Sequence, residues 1–484
     1  MTPLVDSRKL KVAIITENFL PKVDGVTVTL AHLLEHSEAK EVRSILLGPS
    51  NMQTAEYAGC QLFRAFGVPL KFYPGLSANF FPPAFVQVLR DFQPDVIHLV
   101  DPIWLGIQAL VIARILFPHI PLVTSHDTNL PAYATIFGFP YSRRRGWQIL
   151  RYFHSFAKFT LVPSESTAKF LRRKGYANLR VCGRGADAEQ FNRSVRTSIA
   201  RESWGIGKDE VAVLSVGRLS PEKNLLVVIE SISRLSAASK KRIVLIFVGQ
   251  GPWDKYIREL CTSKKLRAIF LGQLSGGALG VAFANSDIMC NTSYTETFGQ
   301  VTLEALFSGL PVVGLHAEGT ADLITHWKNG LLLDVYAPEP WNPYAPLDSR
   351  TPVAYYDDCA PLMKPSSYAF GSLTARYATL LELLVTDPAL RSRMADAAVS
   401  TAQQYTWDRC MDHILTSYIA ASRCRIKPRR VFLNSGPARL MMDAFVVSFA
   451  ILATALTHVL YMIPTFDDFA DFMVEFLFDP DYFG

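Results

Sequence analysis

Two acids, Glu296 and Glu304, stand eight positions apart in residues 293–314, SYTETFGQVTLEALFSGLPVVG. Between them Phe298, Gly299, Gln300 and Val301 open a helix, and Leu303, Ala305 and Leu306 give it an apolar face. A glycine in the first turn lets a ligand approach the unpaired backbone N–H groups, and the helix dipole favours a phosphate there. Glu296 precedes the helix and Glu304 lies one or two turns in. One acid can face a pocket mouth while the other reaches deeper, to groups such as ribose hydroxyls. The same residues also suit an ordinary helix start carrying two unrelated surface acids. A second cluster, VGRLSPEKN at 216–224, sends Arg218 and Lys223 off the end of an apolar run. Two cations there suit a diphosphate, because they neutralise a leaving group that grows more negative in the transition state. Solvated surface charges are the plainer reading. VGQGP at 248–252 repeats the strand-then-glycine theme.

These residues need a scaffold of alternating strands and helices. Residues 10–16 form a short β-branched apolar run, as a buried parallel strand requires. A loop with a single glycine, Gly25, follows, then a helical pattern over 27–36. One glycine is a weak dinucleotide signal beside the full GxGxxG pattern. Further strands are predicted at 42–47, 61–66, 95–100, 122–125 and 159–163, with helices at 83–92, 105–117 and 147–157. Residues 192–210 turn polar and read as a linker. The pattern restarts with strands at 211–216, 243–248, 268–271, 287–291 and 311–315. The expected fold class is therefore α/β, with two Rossmann-like doubly wound domains, residues 1–200 and 201–421, facing a cleft. Ligands collect at the carboxyl ends of such strands, which gathers Asp101, the run 125–129 and Ser164–Glu165 along one edge. Residues 336–371, rich in Pro, Tyr and Asp, read as a loop insertion. Helices resume at 372–385, 388–404 and 407–421.

Hydrophobic residues make up 49% of the 484 and charged residues 19%, so most of the chain should fold. The net charge of +6 is too small to argue for nucleic acid. Seven scattered cysteines form no CxxC pair and no ligand spacing with histidine, so a reduced compartment and no structural metal are expected. The first sixteen residues lack the form of a signal peptide. Residues 444–463, AFVVSFAILATALTHVLYMI, carry no charge and are long enough to span a bilayer. Bases precede them and acids follow, which places the bulk of the chain on the cytosolic side of a single C-terminal anchor. A helix lying in the interface, or packed on the body as a peripheral cytoplasmic protein, is the alternative.

Taken together, VGRLSPEKN, VGQGP and ETFGQVTLEALFSGLPVV resemble the nucleotide-sugar half of retaining family 4 glycosyltransferases with the GT-B fold. ENFLPKVDGVTVTLAHLL, TSHDTNLPAYA, VPSESTAKFLRRKGYANLRVCGRGAD and GTADLITHWKNGLLL resemble the branch that holds the sulfolipid synthases and the GDP-mannose-dependent α-mannosyltransferases. The resemblance covers roughly residues 10–335 and, more loosely, 373–421. It implies a hexosyltransferase that uses a nucleotide sugar, GDP-mannose or a UDP-sugar, as co-substrate, with no metal or other cofactor and a lipid or other hydrophobic acceptor. Arg218 and Lys223 match the pair that holds the donor diphosphate, Glu304 the acid on the ribose, and Glu296 the acid facing the donor sugar. Phe298–Val301 match the amides near sugar and phosphates, and Gly25 the loop glycine near the reaction centre. One departure stands out. Where related sequences carry a histidine before Thr-Asn this chain has Asp127, with His126 one position earlier. A soluble acceptor and a catalytically silent nucleotide-sugar binder are the alternative functions.

Overall fold

The computed structural model describes residues 10–424, apart from 23, 70–76, 133–142, 349–350, 357–364 and 366. Two largely parallel sheets organise these residues. The first contains β1 (Lys11–Thr16), β2 (Arg43–Gly48), β3 (Glu56–Tyr57) and β4 (Cys60–Arg64). A separate hairpin of β5 (Phe66–Pro69) and β6 (Ser77–Phe80) follows, then β7 (Val96–Val100), β8 (Leu122–Ser125), β9 (Phe159–Val162) and β10 (Leu179–Val181). Their order is β10-β9-β8-β7-β1-β2-β4-β3, antiparallel only at the β3–β4 edge. The second sheet runs β13 (Ala268–Phe270), β12 (Ile243–Val248), β11 (Val211–Val216), β14 (Ile288–Asn291), β15 (Val312–Leu315), β16 (Gly330–Leu333), with every pair parallel. The central strands are buried on both faces, with Val12, Ala13, Val213, Leu214, Leu245 and Ile246 fully enclosed. This is why they read as unbroken apolar runs rather than alternating ones.

Helix starts are set locally. Asp24 caps the helix Gly25–Ala39, its carboxylate accepting from the N–H groups of Val26 and Thr27, while Thr27 Oγ1 accepts from the Asp24 N–H at 2.8 Å. The helix Trp407–Ser422 lies against the first sheet, burying Cys410, Met411, Ile414, Leu415 and Tyr418 with Val12, Ile14, Val123 and Leu161. Its Tyr418 hydroxyl meets His98 Nδ1 at 2.7 Å. His36 takes Asp412 at 2.8 Å and Asp408 at 3.3 Å on the same seam. The last described helix thus returns to the first domain.

Among the described residues no helix is long and apolar enough to cross a membrane. The stretch 444–463 expected to form one lies outside the described residues. The six described cysteines are free.

Candidate active site

The carboxyl ends of β11 and β14 build one side of the site. β11 ends at Val216, and Gly217 (φ 141°) and Gly249 (φ 131°) then pack so closely that a Cβ on Gly249 would stand 2.0 Å from the Gly217 carbonyl oxygen. Only glycine allows that approach. A turn over Pro221–Lys223 follows, and side-chain bonds bolt it to the loop after β14. Thr292 Oγ1 donates to the carbonyls of Lys223 and Asn224 at 3.1 Å, and Ser293 Oγ to that of Glu222 at 3.1 Å. The Asn224 side chain returns a bond to the Thr292 carbonyl at 3.3 Å. This frame delivers the Lys223 ammonium to the Glu296 carboxylate in a short, half-buried ion pair. Arg218, between the end of β11 and this turn, is exposed.

The predicted helix start is present. Gly299 (φ 90°) caps the helix Gln300–Phe307, and Phe298 is buried beneath it. Gly319 presses on Phe298 from behind: a Cβ there would lie 2.4 Å from its carbonyl, and the Gly319 N–H donates to the Glu296 carbonyl at 2.7 Å. Gln300 reaches across to the Gly185 carbonyl at 2.9 Å, while Val301 stays half-buried. Glu304 lies in the second turn. Burial pushes its carboxyl up to about 8, against a smaller opposing pull from Gln300.

The first domain supplies the facing wall. Gly25 opens the first helix, beside the guanidinium of Arg184: a Cβ on Gly25 would come within 2.6 Å of Arg184 Nη1. Arg184 Nη2 donates to Asp127 Oδ1 at 2.8 Å. Asp101 (φ 41°) ends β7, and its carboxylate accepts from the Asp127 N–H at 2.7 Å and the Thr128 hydroxyl at 2.8 Å. Burial, and then the nearby Asp127 charge, raise the Asp101 carboxyl to about 7. Asp127 and His126 diverge. Asp127 is partly open, whereas His126 is 1% exposed and packs against Trp147, His154 and Tyr176. His126 Nε2 meets Asn129 Oδ1 at 3.2 Å, and desolvation lowers its basicity. The structure therefore separates these two candidates, placing His126 inside the domain and Asp127 at its surface.

The walls touch. Thr297 Oγ1 donates to the Asp127 carbonyl at 2.7 Å, and the Thr297 carbonyl accepts from Ser164 and Thr167 hydroxyls at 2.6 and 2.9 Å. Asn129 donates to Glu318 at 3.0 Å. Gly25, Asp127 and the head of the 300–307 helix thus belong to one interdomain seam. Sequence reading passed over Arg184. The signal was available: an arginine between two glycines in VCGRGAD, directly after a strand.

Comparison with known proteins places this architecture. Residues 23–190 match the family model described as Glycosyltransferase Family 4, and residues 196–342 match Glycosyl transferases group 1. A GDP-mannose-dependent alpha-mannosyltransferase of Corynebacterium glutamicum is 33% identical over 332 residues, spanning 68% of this chain and 78% of that protein. Its Mycobacterium tuberculosis counterpart is 34% identical, over 67% and 84% of the two chains. The chain is a family 4 glycosyltransferase. As such it transfers a sugar from a nucleotide-sugar donor. The plant sulfoquinovosyl transferase SQD2 of Arabidopsis thaliana is 32% identical to this glycosyltransferase over 57% of its length and 53% of the plant protein. Among solved structures, sucrose-phosphate synthase of Thermosynechococcus elongatus superposes with a TM-score of 0.63 at 17% identity, covering 85% of this chain and 98% of the other. Anabaena HepE, solved with UDP-glucose, gives 0.59 at 18%, covering 85% and 100%. At such identities these two speak for the fold alone, which is GT-B with two Rossmann-like domains.

Proposed function

We propose that this glycosyltransferase moves a hexose, mannose from GDP-mannose or a UDP-linked sugar, onto a lipid or other hydrophobic acceptor with retention of anomeric configuration. The observation that carries the reading is the Lys223–Glu296 pair at the head of the 300–307 helix, facing the first domain across the Thr297–Asp127 contact. In this reading Arg218, Lys223 and the amides at 298–301 hold the diphosphate, whose charge grows as the glycosidic bond breaks. Glu304 takes the ribose, Glu296 the donor sugar, and Gly25 and Asp127 flank the reacting centre. Retention has the acceptor attack the face the diphosphate leaves from, so the departing phosphate takes the acceptor's proton. No metal is required on this route, because the two cations and the amides supply the charge.

The mannosyltransferase and sulfoquinovosyl transferase relatives support a hexose donor, and an alpha-monoglucosyldiacylglycerol synthase of Acholeplasma laidlawii, 24% identical over 342 residues, supports a lipid acceptor. The uncharged run 444–463, between a basic and an acidic segment, supports attachment to a membrane with the catalytic domains on the cytosolic side. The deciding experiment offers full-length protein GDP-mannose, UDP-glucose, UDP-galactose or UDP-sulfoquinovose with a lipid extract, with and without EDTA, and reads products by mass spectrometry. A single glycolipid product insensitive to EDTA supports the reading; turnover only with soluble acceptors overturns its lipid part. Deleting residues 440–484 should shift the protein from the membrane pellet to the supernatant while sparing donor hydrolysis. Continued sedimentation with membranes would remove the anchor from the account.

A further inference from the structure

We propose that Arg184 is a positioning residue for this reaction, fixing the Asp127 carboxylate beside Gly25 so that it accepts a hydrogen bond from a sugar hydroxyl at the reacting centre. The inference rests on the donor-site reading above. Arg184 is 6% exposed and gives Asp127 a 2.8 Å charge-assisted bond from Nη2. Its Nε is buried with no acceptor among the described residues.

That economy separates it from a structural arginine in the same protein. Arg201 is saturated by the carbonyls of Asn285, Gly207 and Glu210 and the carboxylate of Asp287. Arg184 is instead committed to a single carboxylate, with donor capacity left over in a desolvated place. Its other edge lies where a side chain on residue 25 would be, so glycine there is what gives the guanidinium room. Gly183 (φ 73°) and Gly185, whose Cβ would strike the Trp407 backbone at 2.3 Å, hold the arginine on a rigid, close-packed turn.

Electrostatics supply the need. Asp101 and Asp127 are neighbouring acids joined through the Asp127 N–H, and Arg184 is the cation bonded to Asp127. Among the described residues, other titratable groups facing this corner include His98, Cys182 and the inward-turned His126, and Glu318 approaches through Asn129. His98 and His126 are both made less basic by burial, so neither replaces the guanidinium as a cation at neutral pH. Without Arg184 the Asp127 carboxylate would lose its charge-assisted partner and its aim, and its uncompensated charge would press harder on the buried, already raised Asp101.

The test uses full-length wild type, R184K, R184M, D127N and the R184M/D127N double variant, with GDP-mannose and UDP-glucose as donors. Donor hydrolysis is followed from about pH 5.5 to about pH 9, alongside melting temperature. R184M should lower kcat at least about tenfold, leave donor KM within about twofold, and move the acid limb of the profile to higher pH. R184K should recover much of the loss. The double variant should be no worse than D127N, since the residues act as one unit. A wild-type pH profile in R184M, additive losses in the double variant, or an R184K variant as impaired as R184M and equally unstable each overturn the assignment. A wild-type protein that hydrolyses neither these two donors nor UDP-galactose nor UDP-sulfoquinovose overturns the donor-site reading, and the positioning role with it.

Discussion

Lys223 is tied through Glu296 to the loop that starts the 300–307 helix, so one cation is aimed at the amides where a diphosphate would sit. Lys223→Ala should weaken donor binding by about 1.5–3 kcal/mol, as loss of a charge-assisted contact does. Glu304→Ala should cost less, about tenfold in affinity, because hydroxyl-to-carboxylate bonds are exchanged against water. Isothermal titration with GDP and UDP separates the two, and equal losses would undo the roles assigned here. Glu304 also sets a pH dependence. Its carboxyl is raised to about 8, chiefly by desolvation, so near neutral pH it largely holds a proton. Ribose hydroxyls donate best to the ionised form, so binding there expels that proton. Nucleotide affinity should therefore climb from about pH 6 to about pH 8 and level off above, and Glu304→Gln should flatten the curve.

At the scale of elements, the helix Gln300–Phe307 owes its position to contacts from behind. Its apolar residues Leu303, Ala305 and Leu306 are fully buried, and Asn291 at the end of β14 joins Thr302 and Thr320 by side-chain bonds at 2.8 and 3.2 Å. Gly319 closes the arrangement against Phe298. Gly319→Ala would force backbone apart at 2.4 Å and should cost about 1–3 kcal/mol of stability. Because the displaced backbone carries the helix amides, donor affinity should fall with it. A drop in melting temperature together with weaker nucleotide binding is the expected pair; loss of stability with unchanged binding would show that the amides do not touch the donor.

At the scale of the whole molecule, the inserted region between β16 and the helix Tyr368–Thr386 joins the two domains. Residue 354 bridges Ala317, and Tyr355 next to it plugs the first domain. The Tyr355 ring stacks on Phe170 at 4.8 Å, Arg173 lies over it at 4.4 Å, and its hydroxyl donates to the Ser166 carbonyl at 2.9 Å. Asp322 accepts from the Ser166 N–H at 2.8 Å beside it. These contacts act with the Thr297 bonds to join the two domains. Tyr355→Ala should enlarge the radius of gyration seen by X-ray scattering and raise donor KM, while Tyr355→Phe, which keeps the ring, should lose only about 1 kcal/mol. An unchanged scattering curve for Tyr355→Ala would reduce the insertion to local packing.

Strand and helix alternation was legible in the chain because both sheets are parallel and covered on both faces, so their central strands are plain apolar runs. Val211–Val216 and Ile243–Val248 fall at the residues expected. Some pieces were not legible: the strand Gly330–Leu333 starts on a glycine and has no β-branched residue, and the helix Gly276–Ala284 opens on two glycines. The helix start at Gly299 and the turn holding Arg218 and Lys223 are local features, fixed by spacing and by positive-φ glycine. What joins them is not local. Lys223 and Glu296 are 73 residues apart, Arg184 and Asp127 are 57 apart, and only the folding of each domain brings its pair together. His126 and Asp127 point to opposite sides because adjacent residues leaving a strand do, and the first domain's own core decides that His126 is the enclosed one. The sequence by itself determined which residue types reach the strand ends; the tertiary structure decided which of them meet, because that choice is made by contacts between distant segments.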